Sequence, residues 1–191
     1  DAVAGELSRT WLHRADGAAP PGGRKAGSRG DSLFAWTLAK SFLSSPVALI
    51  QTIDERLARR RARAAAAAGP ASPTSPQLSE QSRALARLRE LAVAANTTDS
   101  GKYQALLAEL RRIGISRSST ERAVVFAERI ATLTWLAEHL REDLNLPPEA
   151  VRVMHGSLSD VEQQEIVEQF RQSHTPVRVL VTGDVASEGV N

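Results

Sequence analysis

VRVMHGSLSDVEQQEIVEQF, residues 151–170, carries three local instructions in twenty letters. Val151 to Met154 is a short apolar strand, and His155-Gly156 after it is a turn. Ser159 with Glu162 three positions on has the form of a capping box, in which each side chain satisfies an orphan amide of the other residue. Behind it Ile166, Val167 and Phe170 recur at helical spacing, so one face of the next helix is apolar. Strand, turn and capped helix make up one β-α step. Upstream, Ala123 to Ala127 (AVVFA) is an unbroken apolar run, which predicts a strand covered on both faces. Ile130 to Leu144 follows as a helix, with Ile130, Leu133, Ala137, Leu140 and Leu144 inward, and Pro147 and Pro148 end it. Downstream, Val177 to Val181 is a third strand. Strand, helix, strand, helix, strand predicts a parallel sheet with right-handed crossovers. Such sheets bind ligands beyond the carboxyl ends of their strands. Here those ends are Glu128-Arg129, His155-Gly156 and Thr182-Gly183-Asp184.

The first half has a different texture. Residues 14–31 are rich in Gly, Pro, Ala and Arg with almost nothing to bury, so a mobile loop is expected there. Ser45 can cap a helix with Pro46 at its first position, and Leu49, Ile50, Ile53 and Leu57 give that helix an apolar face. A second loop is expected over about 64–78, centred on Gly69 to Pro76. Another helix then places Leu85, Leu88, Leu91 and Ala92 on one side. A further helix, from about Lys102 to Ile113, buries Leu106, Leu107 and Leu110. The expected division is a helical region, 1–98, and an α/β region, 99–191.

Composition bounds the rest. The chain has 191 residues, 42% of them hydrophobic, enough for a real core. Its 24 basic and 22 acidic side chains leave a net charge of only +2, too small to imply a polyanion partner by itself. The charge is uneven: Arg56, Arg59, Arg60, Arg61 and Arg63 crowd one stretch, and acids gather towards the C-terminus. Cysteine is absent, which excludes disulfides and thiolate zinc sites and fits a reducing, cytoplasmic setting. No apolar run approaches the roughly 18 residues of a membrane span. The chain also starts without Met, and a piece of a longer protein is expected.

AVVFAERI, VMHGSLSDVEQQEIVEQF and VLVTGDVASEGVN, in that order and spacing, resemble the second RecA-like lobe of superfamily 2 helicases and translocases. The SEGVN ending and the segment DSGKYQALLAEL (Asp99 to Leu110) are most similar to bacterial Swi/Snf-like ATPases. The resemblance covers roughly the last half of the chain. It implies a truncated RecA-like parallel sheet with flanking helices, from an ATP-dependent motor that moves on nucleic acid, duplex DNA in the Swi/Snf-like case. It places Arg129, Gly156 and Thr182 along the nucleic-acid track, and Glu188, Gly189 and Asn191 towards the nucleotide. ATP and Mg2+ are the implied cofactors, held mainly by a first RecA-like lobe of the same parent chain, which is the implied protein partner.

The sequence departs from that pattern at Gln163 and Gln164, where many relatives carry Arg, and at Gly183, an extra residue between Thr182 and Asp184. Each site residue also has a plainer reading: Gly156 as a turn, Arg129 as a solvated helix start, Glu188 as a helix cap, His155 as a polar turn residue. Two look-alikes fail on context. Ser100-Gly101-Lys102 ends like a phosphate-binding loop but has no upstream glycine or strand, and Tyr103 stands where Ser or Thr is required. Ile53-Asp54-Glu55-Arg56 mimics an acidic ATPase box inside an amphipathic helix. With no P-loop, no acidic metal site, and the family's Q-x-x-G-R-x-x-R finger motif lying downstream of Asn191, the chain is expected to be a cut piece without catalytic residues of its own. The rival reading is a non-catalytic α/β module that binds a nucleotide or a protein, with a helical arm.

Overall fold

The computed structural model describes residues 2–12, 28–67 and 76–183. These fall into two compact units, 1–96 and 97–191.

The N-terminal unit is helical. Helix α1 (Ala2–Glu6) continues as a π-helical stretch, Leu7–Leu12; α2 is Ser28–Ser44, α3 Pro46–Ala67 and α4 Pro76–Ala95. Val3, Leu7, Leu38, Leu49, Ile53, Leu85, Leu88 and Ala92 form its core. Ser45 caps α3 as expected, its Oγ accepting from the Ala48 amide at 3.2 Å. Buried Ser41 meets Thr52 at 2.8 Å and so ties α2 to α3. Helices α3 and α4 run antiparallel, pinned by Arg89 to Asp54 at one level and Arg60 to Gln81 at another. The helices overrun the expected loops. Residues 28–31 already belong to α2, residues 64–67 to α3 and 76–78 to α4. An alanine run such as 64–67 has the highest helix propensity, and Pro76 is tolerated at a first helical position. The rest of both expected loops lies outside the described residues.

The C-terminal unit is the α/β layer that residues 151–170 announced. Helix α5 (Gly101–Ile113) leads into β1 (Ala123–Phe126), α6 (Ile130–Asp143), a single 3₁₀ turn at Pro148–Ala150, β2 (Val151–Met154), α7 (Asp160–Arg171) and β3 (Val179–Thr182). The sheet is parallel with order β1-β3-β2, the last strand inserting between the first two. On one face Val125, Val151, Val179 and Val181 pack with Tyr103, Leu107 and Leu110 of α5 and Leu133, Leu136, Ala137 and Leu140 of α6. On the other, Met154 and Leu180 meet Ile166 of α7. The helices therefore lie on opposite faces, as right-handed crossovers in opposite directions require.

Three details differ from expectation. β1 is not covered on both faces: Val124 is 42% and Phe126 63% exposed, because β1 is an edge strand and α7 packs on β2 and β3. Ile130 is 47% exposed, its first-turn position beside the strand end leaving it outside the core. Leu106 is half-buried, and Tyr103 takes the inward place on α5.

Candidate nucleic-acid interface

The three strands end level. Phe126 and Met154 both register with Thr182, the Ala127 amide donates to the Thr182 carbonyl at 3.0 Å, and the Gly183 amide to the Met154 carbonyl at 3.2 Å. Glu128-Arg129, His155-Gly156 and Thr182-Gly183 thus share one edge, because parallel strands of equal length in register must finish together.

Arg129 caps α6 through its backbone, with φ −107° and ψ 130°, and its carbonyl accepts from the Leu133 amide at 3.0 Å. Its side chain makes no cap bond. The Nε is buried without a hydrogen-bond partner among the described residues, as are those of Arg56, Arg122, Arg141 and Arg178. Gly156 lies exposed in the turn closed by the Leu158 amide on the His155 carbonyl at 3.1 Å. The left-handed backbone positions among the described residues are Gly114 and Asn145, so the turn itself does not demand a glycine at 156. Thr182 is fully buried and its hydroxyl donates to the Gly183 carbonyl at 3.2 Å, so that hydroxyl is not a free donor in this conformation. Glu188, Gly189 and Asn191 lie outside the described residues, as does Asp184.

A small polar cluster frames the middle strand end. His155 Nδ1 and Ser157 Oγ are 2.7 Å apart, which makes His155 a tied turn residue. Ser157 was not singled out from the sequence; its i+2 spacing from His155 across a turn was the available signal. The capping box is present: the Glu162 carboxylate accepts from the Ser159 amide at 2.8 Å and its hydroxyl at 2.7 Å, and the Glu162 amide donates to Ser159 Oγ at 3.3 Å. Those Ser159 bonds, with His155 nearby, hold the Glu162 carboxyl below its usual range. Gln163 returns its amide to the Leu158 carbonyl at 2.9 Å, bracing the same turn. At the other end of α7, Arg122 donates to the carbonyls of Phe170 and Gln172, both at 2.5 Å, and fastens the helix to the start of β1.

The look-alikes are structural. Ser100 is the N-cap of α5, accepting from the Tyr103 amide at 3.4 Å. Asp54 is held by Arg89 at 2.7 and 3.1 Å, and Glu55 pairs with Arg59 at 3.4 Å. No group of three or more His, Asp or Glu side chains able to hold a metal occurs among the described residues.

Residues 101–191 match the family model described as "Helicase conserved C-terminal domain". The second half of the chain is thus similar to a helicase C-terminal domain. The chain is also similar to the human protein named "Probable ATP-dependent RNA helicase DDX43", with 32% identity over 95 residues, half of its length. The chain spans 13% of that relative's length. The sheet seen here is the small parallel core of such a domain, with helices on both faces, and no helix among the described residues is long and apolar enough to cross a membrane.

Proposed function

We propose that the helicase C-terminal domain serves as the second motor lobe of an ATP-dependent nucleic-acid helicase or translocase, gripping the phosphate backbone along its carboxyl strand edge. One observation carries the reading: Arg129, Gly156 and Thr182 come to one edge of a domain that matches the helicase C-terminal model. Arg129 brings a guanidinium and Gly156 an exposed backbone turn to this edge, the kinds of group that phosphates take up, while the Gly183 amide is held by the Met154 carbonyl. Thr182 is the third proposed contact, and reaching a phosphate requires its hydroxyl to leave both the Gly183 carbonyl and its buried position. Glu188, Gly189 and Asn191 are the proposed nucleotide-facing residues. On the same reading the triphosphate and Mg2+ are held mainly by a first lobe of the parent protein. Bound there, Mg-ATP supplies the phosphoryl transfer that drives movement.

Duplex DNA is the substrate that the Asp99–Leu110 and Ser187–Asn191 segments favour through their Swi/Snf-like character. RNA is favoured by the printed name of the human relative. Backbone amide NMR on the 191-residue chain, titrated in turn with duplex DNA, duplex RNA and single strands, tests the reading. Shifts should concentrate at 128–130, 155–157 and 182–183 and favour one nucleic acid. Shifts that avoid this edge, whichever nucleic acid is used, would refute it.

A further inference from the structure

Helix α3 gathers the arginines of the helical unit. The two units differ in charge: residues 1–96 hold 14 basic and 8 acidic side chains, a balance of +6, and residues 97–191 hold 10 and 14, a balance of −4. A near-neutral chain is thus a basic helical unit joined to an acidic one, a segregation that points the helical unit towards anions.

The positive charge is concentrated on α3, where Arg56, Arg59, Arg60, Arg61 and Arg63 fall within eight residues. Packing turns two of them inward. Arg56 lies over the Phe34 ring at 4.5 Å, and Arg60 is bonded to Gln81. Both acids of the helix are already matched, Asp54 by Arg89 and Glu55 by Arg59. Arg61 and Arg63 remain exposed with no acid against them among the described residues. Their spacing puts them on opposite flanks of the outward face, and the exposed residues between the flanks at their level are Ala58, Ala62, Ala65 and Ala66, with Glu55, held by Arg59, on the same face one turn earlier. Small side chains with guanidiniums on either side let a helix backbone come close to a groove while each Arg meets a phosphate.

We propose that Arg61 and Arg63 bind the phosphate backbone of a nucleic-acid duplex, making the helical unit a second grip on the substrate. The partner follows from charge complementarity, and the inference rests on the reading of the chain as part of a nucleic-acid motor.

The test is fluorescence anisotropy of the whole 191-residue chain with a labelled duplex across a salt series. Arg61→Gln with Arg63→Gln is compared against Arg117→Gln with Arg171→Gln, which removes the same charge from exposed positions in the other unit. Each lost phosphate contact flattens the log–log salt slope by about 0.9, so the α3 pair should flatten it by about 2 and weaken binding about tenfold or more at low salt. The control pair should do neither. Equal losses from both pairs would mean that only net charge matters, and an unchanged slope for the α3 pair, or no binding by the unmodified chain, would equally overturn the proposal. Arg129→Ala runs alongside: weakening by Arg129→Ala without weakening by the α3 pair sinks this inference and leaves the strand-edge reading standing, and the reverse result does the opposite.

Discussion

Replacing Ser159 by Ala tests whether the α7 cap holds the turn that presents His155 and Gly156. The change removes the Oγ that accepts from the Glu162 amide at 3.3 Å and donates to its carboxylate at 2.7 Å, leaving the Ser159 amide–carboxylate bond of 2.8 Å. Losing a Ser cap costs about 1 kcal/mol, within a range of about 0.5–2. In a unit of this size that lowers Tm by about 4–8 °C per kcal/mol. Thermal unfolding by circular dichroism reads the stability, and hydrogen exchange at residues 160–163 reads the local loss. Ser159→Thr should recover most of the stability and Ser159→Gly should lose only about a few tenths of a kcal/mol. The acid limb adds a second check. Glu162 is held low chiefly by the Ser159 hydroxyl, then by the Ser159 amide. A depressed carboxyl contributes fully above its ordinary value of 4.5, and that contribution fades as pH falls through the lowered folded value. The wild-type chain should therefore lose more stability below pH 4.5 than Ser159→Ala does. An unchanged Tm with full protection of the first α7 turn, or identical acid limbs, would refute the account of this turn.

Leu140, fully buried between α6 and the sheet, should cost about 2–5 kcal/mol as Leu140→Ala in a urea titration of the C-terminal unit, with Val161→Ala, 65% exposed, near neutral. Tyr103→Phe deletes the 2.6 Å bond to Asp143 and should cost about 1 kcal/mol at neutral pH. Burial first, and then Asp143, raise the Tyr103 hydroxyl, so its stabilisation is complete below its ordinary value of 10 and is lost as pH climbs through the folded value. The gap between wild type and Tyr103→Phe should accordingly narrow above pH 10. Phosphate release from Mg-ATP by the 191-residue chain should stay at background with or without nucleic acid, since no phosphate loop occurs in its sequence. Stimulated turnover that survives repurification and disappears in Glu188→Ala would contradict the assignment of the triphosphate to another lobe.

Local signals in this chain were legible because their physics is local. The Ser159–Glu162 box, the Ser45–Pro46 helix start and the apolar spacing of Leu133, Ala137 and Leu140 each depend on residues a turn or less apart, and the structure has all of them. The alternation of strands and helices also sufficed for a parallel sheet, because a short connection through a helix leaves little else open. The strand order could not be read, since pairing depends on which strand reaches the middle, a choice made by the whole sheet. From that order follow the open face at Val124 and Phe126, which an apolar run alone presented as covered. Burial of the Thr182 hydroxyl and the bracing of the His155 turn by Ser157 and Gln163 were likewise decided by neighbours that only folding brings close. The arginine run shows the same division. Its charge is written in the sequence, but which guanidiniums face outward was settled when Phe34 and Gln81 packed against α3 and drew Arg56 and Arg60 away from solvent.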